Sequence, residues 1–187
     1  NQSYAVAGHM LETIAGQPWE ELLRSRVFEP LGMRSAGFGA PDNTLGQITQ
    51  PWGHSRQRGN TVPSLLDNPP AIAPAATVHC SLEDLATFAY LHIDRGEVLG
   101  ILTPASFRHM HALQLDDDSY ACGWMSVPRD WAAGQALHHS GSNTLWHVSM
   151  WLAPERRFVV IAATNVGGDD AEEACDEAVA LLINRRL

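Results

Sequence analysis

Residues 146–186 carry three patterns in succession, and these constrain the fold more than any other part of the chain. Trp146, Val148, Met150 and Leu152 alternate with His147, Ser149 and Trp151, the period of a half-buried strand. Pro154, Glu155, Arg156 and Arg157 form a polar turn, and residues 158–163 are an unbroken apolar run, as expected of a strand covered on both faces. Gly167 and Gly168 break that run, and residues 169–186 then read as a helix. Asp169, Asp170, Glu172 and Glu173 stand at its positive end and Arg185 and Arg186 at its negative end, so the charges complement the helix dipole. Strands this close in sequence pair as antiparallel hairpins. With further candidate strands at 120–127 and 136–140, the expectation is an α/β (α+β) fold. Its antiparallel sheet has at least three strands and is flanked by helices.

The first part of the chain is helical in pattern. Ala7, Met10, Leu11 and Ile14 follow a helical stripe that should be buried, with Gly16 as its stop. Pro18 suits a first helical position. Trp19, Leu22, Leu23 and Val27 then point inward, and Pro30 and Gly32 should end that helix. Ser81 is an N-cap with acidic Asp84 three residues on. Leu82, Leu85, Ala86 and Ala89 give the next buried stripe, closed by Gly96. Another helix is expected over about 104–113, followed by Asp116, Asp117 and Asp118 as a solvated turn. Residues 35–80 show no periodicity and hold six prolines and five glycines. A connection of that length is expected to be a loop lining a cleft. The domain reading is one partial domain over 1–187: 1–34 and 81–113 helical, 35–80 the cleft loop, 120–187 the sheet and last helix.

Composition excludes several functions. The formal net charge is −9, and all twelve Lys/Arg positions are Arg, with no basic cluster. Such a chain is a poor ligand for nucleic acid or an anionic membrane. No apolar run approaches the ~20 residues of a membrane span. Cys80, Cys122 and Cys175 are far apart and odd in number, so no disulfide framework follows, and buried free thiols are the default. Nine histidines invite a metal reading, but His109 and His111 face different sides of a helix and His138 and His139 alternate across a strand. No metal or cofactor is expected. Ser140 is not in a Gly-x-Ser-x-Gly elbow, because His138 stands two residues before it.

Three local patterns point in one direction: Asn1-Gln-Ser-Tyr4-Ala-Val-Ala-Gly8, Val27-Phe-Glu-Pro-Leu-Gly-Met33, and His139-Ser140-Gly141 between two strands. Ala73-Pro-Ala-Ala76 and Tyr120-x-x-Gly-Trp124 add to the set. In order and spacing the chain resembles the serine β-lactamase and penicillin-binding-protein family, class C-related. The resemblance implies a hydrolase that opens amide or ester bonds through an acyl-enzyme, with a β-lactam, a D-amino-acid peptide or a simple ester as substrate. It also implies a Ser-x-x-Lys nucleophile, which this chain does not contain. The expectation is therefore a C-terminal portion, inactive alone; the alternative is a catalytically dead binding module of the same fold. By resemblance His139 takes the place of the motif's lysine and bonds the motif tyrosine or a substrate carboxylate. Ser140 contacts substrate, and Gly141 lets substrate backbone approach the strand. The Ser142 N–H is one of two oxyanion donors, the other belonging to the nucleophile. Asn1 holds the catalytic lysine or a substrate amide. The family resemblance implies an extracytoplasmic or periplasmic setting, with a cytoplasmic one as the alternative. The partly uncovered sheet implies that the chain dimerises or depends on an N-terminal segment.

Overall fold

The structure is a computed structural model that describes residues 1–41, 50–94, 100–113 and 119–186. In chain order, α1 is Gln2–Ala15, and α2 (Trp19–Leu23) runs through a π-turn (Arg24–Phe28) into α3 (Glu29–Leu31). A short strand β1 (Gly37–Phe38), a hairpin of β2 (Gly53–Gln57) and β3 (Asn60–Ser64), one turn of α4 (Ala73–Ala76) and β4 (Val78–His79) follow. Next come α5 (Leu82–Ile93) and α6 (Pro104–His111). The strands β5 (Met125–Arg129), β6 (Gly134–Ser142), β7 (His147–Ala153) and β8 (Phe158–Thr164) precede the last helix, α7 (Asp169–Arg186). These four strands form one antiparallel sheet in sequential order, as nearest-neighbour hairpins require. No helix among the described residues is long and apolar enough to cross a membrane.

Period-two alternation divides the sheet's side chains between two layers. Ala136, Ala153, Phe158 and Val160 pack with Val179 and Ile183 of α7. Leu137, Met150 and Leu152 face the other way, onto Ala89 and Ile93 of α5 and onto Trp124. The unbroken run of β8 is thereby explained: Phe158 and Val160 serve one layer, Val159 and Ile161 the other. The α5 N-terminus is fixed as the sequence implies, with the Asp84 N–H donating to Ser81 Oγ at 3.2 Å. The Asp84 carboxylate in turn accepts from the Ser35 N–H at 2.7 Å. That contact ties α5 to the segment that leaves α3, beside the cluster of Phe28, Leu31 and Met33.

Several expectations need correction. Pro30 does not end its helix, which continues to Leu31 and stops at Gly32 with φ 67°. The π-turn accounts for this: the Glu29 N–H already bonds five residues back, to Arg24 O, so the ladder is reset just before the residue that lacks an N–H. Within 35–80 the chain is not a plain loop. It holds the β2–β3 hairpin and the β1–β4 pair, Gly37 opposite His79. Arg58 and Gly59, both at positive φ, make the two-residue turn that suits a hairpin. The strand expected at 120–127 starts only at Met125, because residues 121–124 form a tight turn closed by Ala121 N–H to Trp124 O at 2.7 Å. Cys122 is exposed rather than buried. Gly96 and the Asp116–Asp118 triplet lie outside the described residues. The stripe on α1 is also not buried: Met10, Leu11 and Ile14 are exposed, Ile14 by 80%, and it is Gly8 that packs, against Pro74.

Two outcomes follow from this packing. Leu152 is fully buried between the sheet and α5, so Leu152→Ala should lower the unfolding free energy by about 2–5 kcal/mol. Leu181→Ala, on the exposed side of α7, should cost under about 0.5 kcal/mol; urea titration of both variants reads the difference. Among the described residues the outer edge of β8 is unpaired and α1 presents an apolar stripe, and both features promote association. Light scattering should therefore show species above the 20.4 kDa chain mass, together with hydrophobic-dye binding. A monomer that binds no dye would contradict this.

Candidate functional site

β6 is longer than the strand beside it. Its pairing with β5 ends at Met125–His138, while its pairing with β7 continues from Leu137–Leu152 to Ser142–His147. Among the described residues the β5-side edge of 139–142 is thus open. His139, Ser140, Gly141 and Ser142 are all exposed there. His139 lies in the row of Leu137 and Gly141, on the α5 side. Ser140 sits opposite Ser149, in the α7-side row, where the buried Ser149 hydroxyl donates to Asp176 at 3.1 Å. The alternation of His138 and His139 is as the sequence implies. His138 stacks on Trp151, with ring centroids 4.1 Å apart, and its pKa is lowered, first by burial.

The His139 imidazole is held by a turn that the strand pattern did not reveal. Its Nδ1 stands 2.7 Å from Gly123 O, and its ring meets Trp124 edge-on at 6.3 Å. Tyr4 of α1 reaches the same turn, since a Cβ added at Gly123 would stand 3.6 Å from the Tyr4 hydroxyl. That phenol has the Tyr120 side chain and the Gly123 main chain as hydrogen-bond partners. Its pKa is pushed up to about 12, mainly by burial and then by the Tyr120 bond. Asn1 is exposed at the N-cap of α1, three residues before Tyr4. Below Trp124 lies His92, ringed edge-on by Phe88, Phe107 and Trp124. His92 Nδ1 is 2.9 Å from His111 Nε2, so one ring donates and the other accepts.

The far end of β6 is locked by its own turn. The Ser142 hydroxyl donates to Trp146 O at 2.5 Å and accepts from the Thr144 N–H at 3.0 Å. Asn143 Oδ1 accepts from the N–H groups of Leu145 and Trp146. The Ser142 side chain is therefore committed to the turn. Residues 52–69 grip that turn from outside. The His54 N–H donates to Leu145 O at 3.0 Å, the Asn143 amide donates to Asp67 at 2.9 Å, and the Asn165 amide donates to Trp52 O at 2.8 Å. Between hairpin and turn lies a cleft of about 440 Å³ bordered by Ser55, Gln57, Leu66, Asp67, Asn143 and Thr144. The sequence leads one to expect His139 and Ser140 to share a cleft with residues 35–80; this cleft meets the β6–β7 turn at residues 143–145 and borders neither His139 nor Ser140. Sequence reasoning assigned no role to Tyr4, Tyr120, Asp67 or Asn143; the pattern Tyr120-x-x-Gly123-Trp124 held the available signal.

Solved structures share this architecture. The octameric penicillin-binding protein homologue from Pyrococcus abyssi superposes with a TM-score of 0.77 at 22% identity, over 97% of this chain and 41% of that one. The D-amino acid amidase from Ochrobactrum anthropi gives 0.73 at 20% identity, over 98% and 56%. The fold is thus of the β-lactamase-like class. Residues 1–184 match the family model for Beta-lactamase, and the chain belongs to that family. A curated relative, Penicillin-binding protein 4 of Amycolatopsis lactamdurans, is 27% identical over 88% of this chain and 46% of its own length. The chain spans less than half the length of the curated relatives it matches.

The buried histidine beneath the site has a pH signature. Burial, and next the neighbouring His111, lowers the His92 pKa to about 3, against about 6.5 for an unfolded histidine. Between those values the unfolded chain binds a proton that the folded chain refuses, so stability falls as pH drops from about 6.5 toward 3. His92→Gln should reduce the acid-side slope of unfolding free energy by up to roughly 1.4 kcal/mol per pH unit. An unchanged slope would contradict the assignment.

Proposed function

We infer that this chain supplies one wall of the active site of a serine hydrolase that cleaves amide or ester bonds through an acyl-enzyme. The observation that carries this reading is the open edge of β6 at residues 139–142, with His139 turned to the side where Tyr4 and the first turn of α1 stand. An extended acyl substrate adds to such an edge as a further strand. Gly141 has no atoms within 4 Å of where a Cβ would sit, so a substrate backbone can approach it closely. In this reading the Ser142 N–H is an oxyanion donor and Ser140 meets the ligand along the edge. Asn1 bonds the substrate amide or the catalytic lysine. The nucleophile and its lysine belong to sequence outside these 187 residues, which hold no lysine and no Ser-x-x-Lys. The similar Ochrobactrum protein is a D-amino acid amidase and the Amycolatopsis relative a penicillin-binding protein, which supports small acyl or D-peptide substrates. An octameric homologue supports self-association.

Three measurements test this. The chain alone should leave a chromogenic cephalosporin and a nitrophenyl ester unhydrolysed, because without an activated nucleophile only a small residual effect of the oxyanion donors remains. Turnover that disappears in Ser140→Ala would place the nucleophile inside the chain and sink the reading. An acyl-D-alanyl-D-alanine peptide added to labelled chain should shift amide signals of 139–142 and 123–124. Shifts confined to the α7 face would contradict it. The natural protein's intact mass separates the two classes of function: a mass well above 20.4 kDa with a Ser-x-x-Lys segment supports the enzyme, and a mass equal to this chain supports the inactive module.

A further inference from the structure

The tautomer of His139 is legible from its contacts. A carbonyl oxygen only accepts hydrogen bonds, so at 2.7 Å from Gly123 O the Nδ1 atom carries the proton. In the neutral ring Nε2 is then an acceptor, since the bond made by one nitrogen sets the state of the other. The carbonyl that makes this choice is itself held from three sides. Gly123 is at φ 85°, a conformation that favours glycine. Its turn is closed by Ala121 N–H to Trp124 O and by the Tyr120–Met125 bridge. The Cys122 N–H donates to Met110 O of α6 at 3.0 Å. From α1, the Tyr4 hydroxyl covers the glycine, 3.6 Å from its Cβ direction, and is hydrogen-bonded to Tyr120.

We propose that Tyr4 and Tyr120 are positioning residues that clamp the Gly123 turn and so fix His139 as its Nδ1–H tautomer. The inference rests on the reading of His139 as a wall of the active site. It narrows what that wall recognises. While neutral, His139 takes a hydrogen-bond donor on Nε2, such as a hydroxyl, an amide N–H or a water. It cannot bond a carboxylate there, because both groups would be acceptors. The ligand group that meets His139 is then a donor rather than an anion, which favours esters and amides over substrates anchored by a carboxylate at this point.

The test needs no substrate, so it fails or succeeds independently of the hydrolase reading. Long-range proton–nitrogen correlation spectra of the labelled chain at pH 8 report each imidazole's tautomer, and the His139 signal is assigned by its loss in His139→Asn. The wild type should show the Nδ1–H form. Tyr4→Phe and Tyr120→Phe should each lose that single form and give a mixture with Nε2–H. Tyr90→Phe, altering the third tyrosine, which is exposed on α5, should leave it unchanged. Tyr4 is 44% exposed and its ring is kept in the variant, so Tyr4→Phe should retain the wild-type circular dichroism and carries the test even if Tyr120→Phe misfolds. An Nε2–H form in the wild type, or an unaltered Nδ1–H form in Tyr4→Phe, would overturn the proposal.

Discussion

β6 and β7 stay hydrogen-bonded from Leu137–Leu152 to Ser142–His147, while β5 leaves its partner at His138. Everything else at the candidate site depends on that mismatch of strand lengths. At Leu137 and His138 the strand is flanked on both sides, by β5 and by β7, and Ala136 and Leu137 serve the two core layers. Leu137 and Leu152 are each nearly fully buried, and burying a leucine contributes on the order of 1.5–3 kcal/mol. Past His138 the strand is still held straight by β7, but its other edge and its α5-side row are open to a ligand. Rigidity comes from the paired part and access from the unpaired part.

The open stretch is fixed at both ends by small hydrogen-bonded turns. At the near end, the Gly123 turn receives His139 Nδ1 and sits on Trp124, whose ring also contacts the buried His92. At the far end, Ser142 and Asn143 satisfy the main chain of the tight connection to β7. The proline-rich segment has little core of its own. It clasps that connection through His54 to Leu145 and Asp67 to Asn143, and the residue that follows β8 through Trp52 to Asn165. Gly53 permits the approach, since a Cβ there would fall 2.3 Å from the Trp146 indole nitrogen.

Much of this was legible in the sequence, for physical reasons. Alternation in residues 146–152, the apolar run of 158–163 and the charge gradient of α7 each reflect one dominant force acting on one element, and the elements lie where those patterns put them. The opposite facing of His138 and His139 follows from strand geometry alone. Features set by several forces at once were not legible. The helical stripe of α1 predicts a buried face, but no described residue covers Met10 or Ile14. Pro30 reads as a stop unless the π-turn before it is known. The Tyr120–Trp124 turn depends on a main-chain conformation at Gly123 and on a tyrosine more than a hundred residues away, and no local period records either. The β2–β3 hairpin has only Arg58-Gly59 as its signal, because its strands are too polar to alternate.

In the proposed function residues 139–142 form the wall against which an acyl group is held, with the nucleophile supplied by sequence outside this chain. A crystal structure of the natural protein trapped as an acyl adduct tests it most directly. The adduct is expected on a serine outside these 187 residues, with the acyl chain lying along the open edge of β6 and Nε2 of His139 within hydrogen-bond distance of a donor. An adduct on a serine of this chain, or an acyl group seated on the α7 face of the sheet, would contradict it.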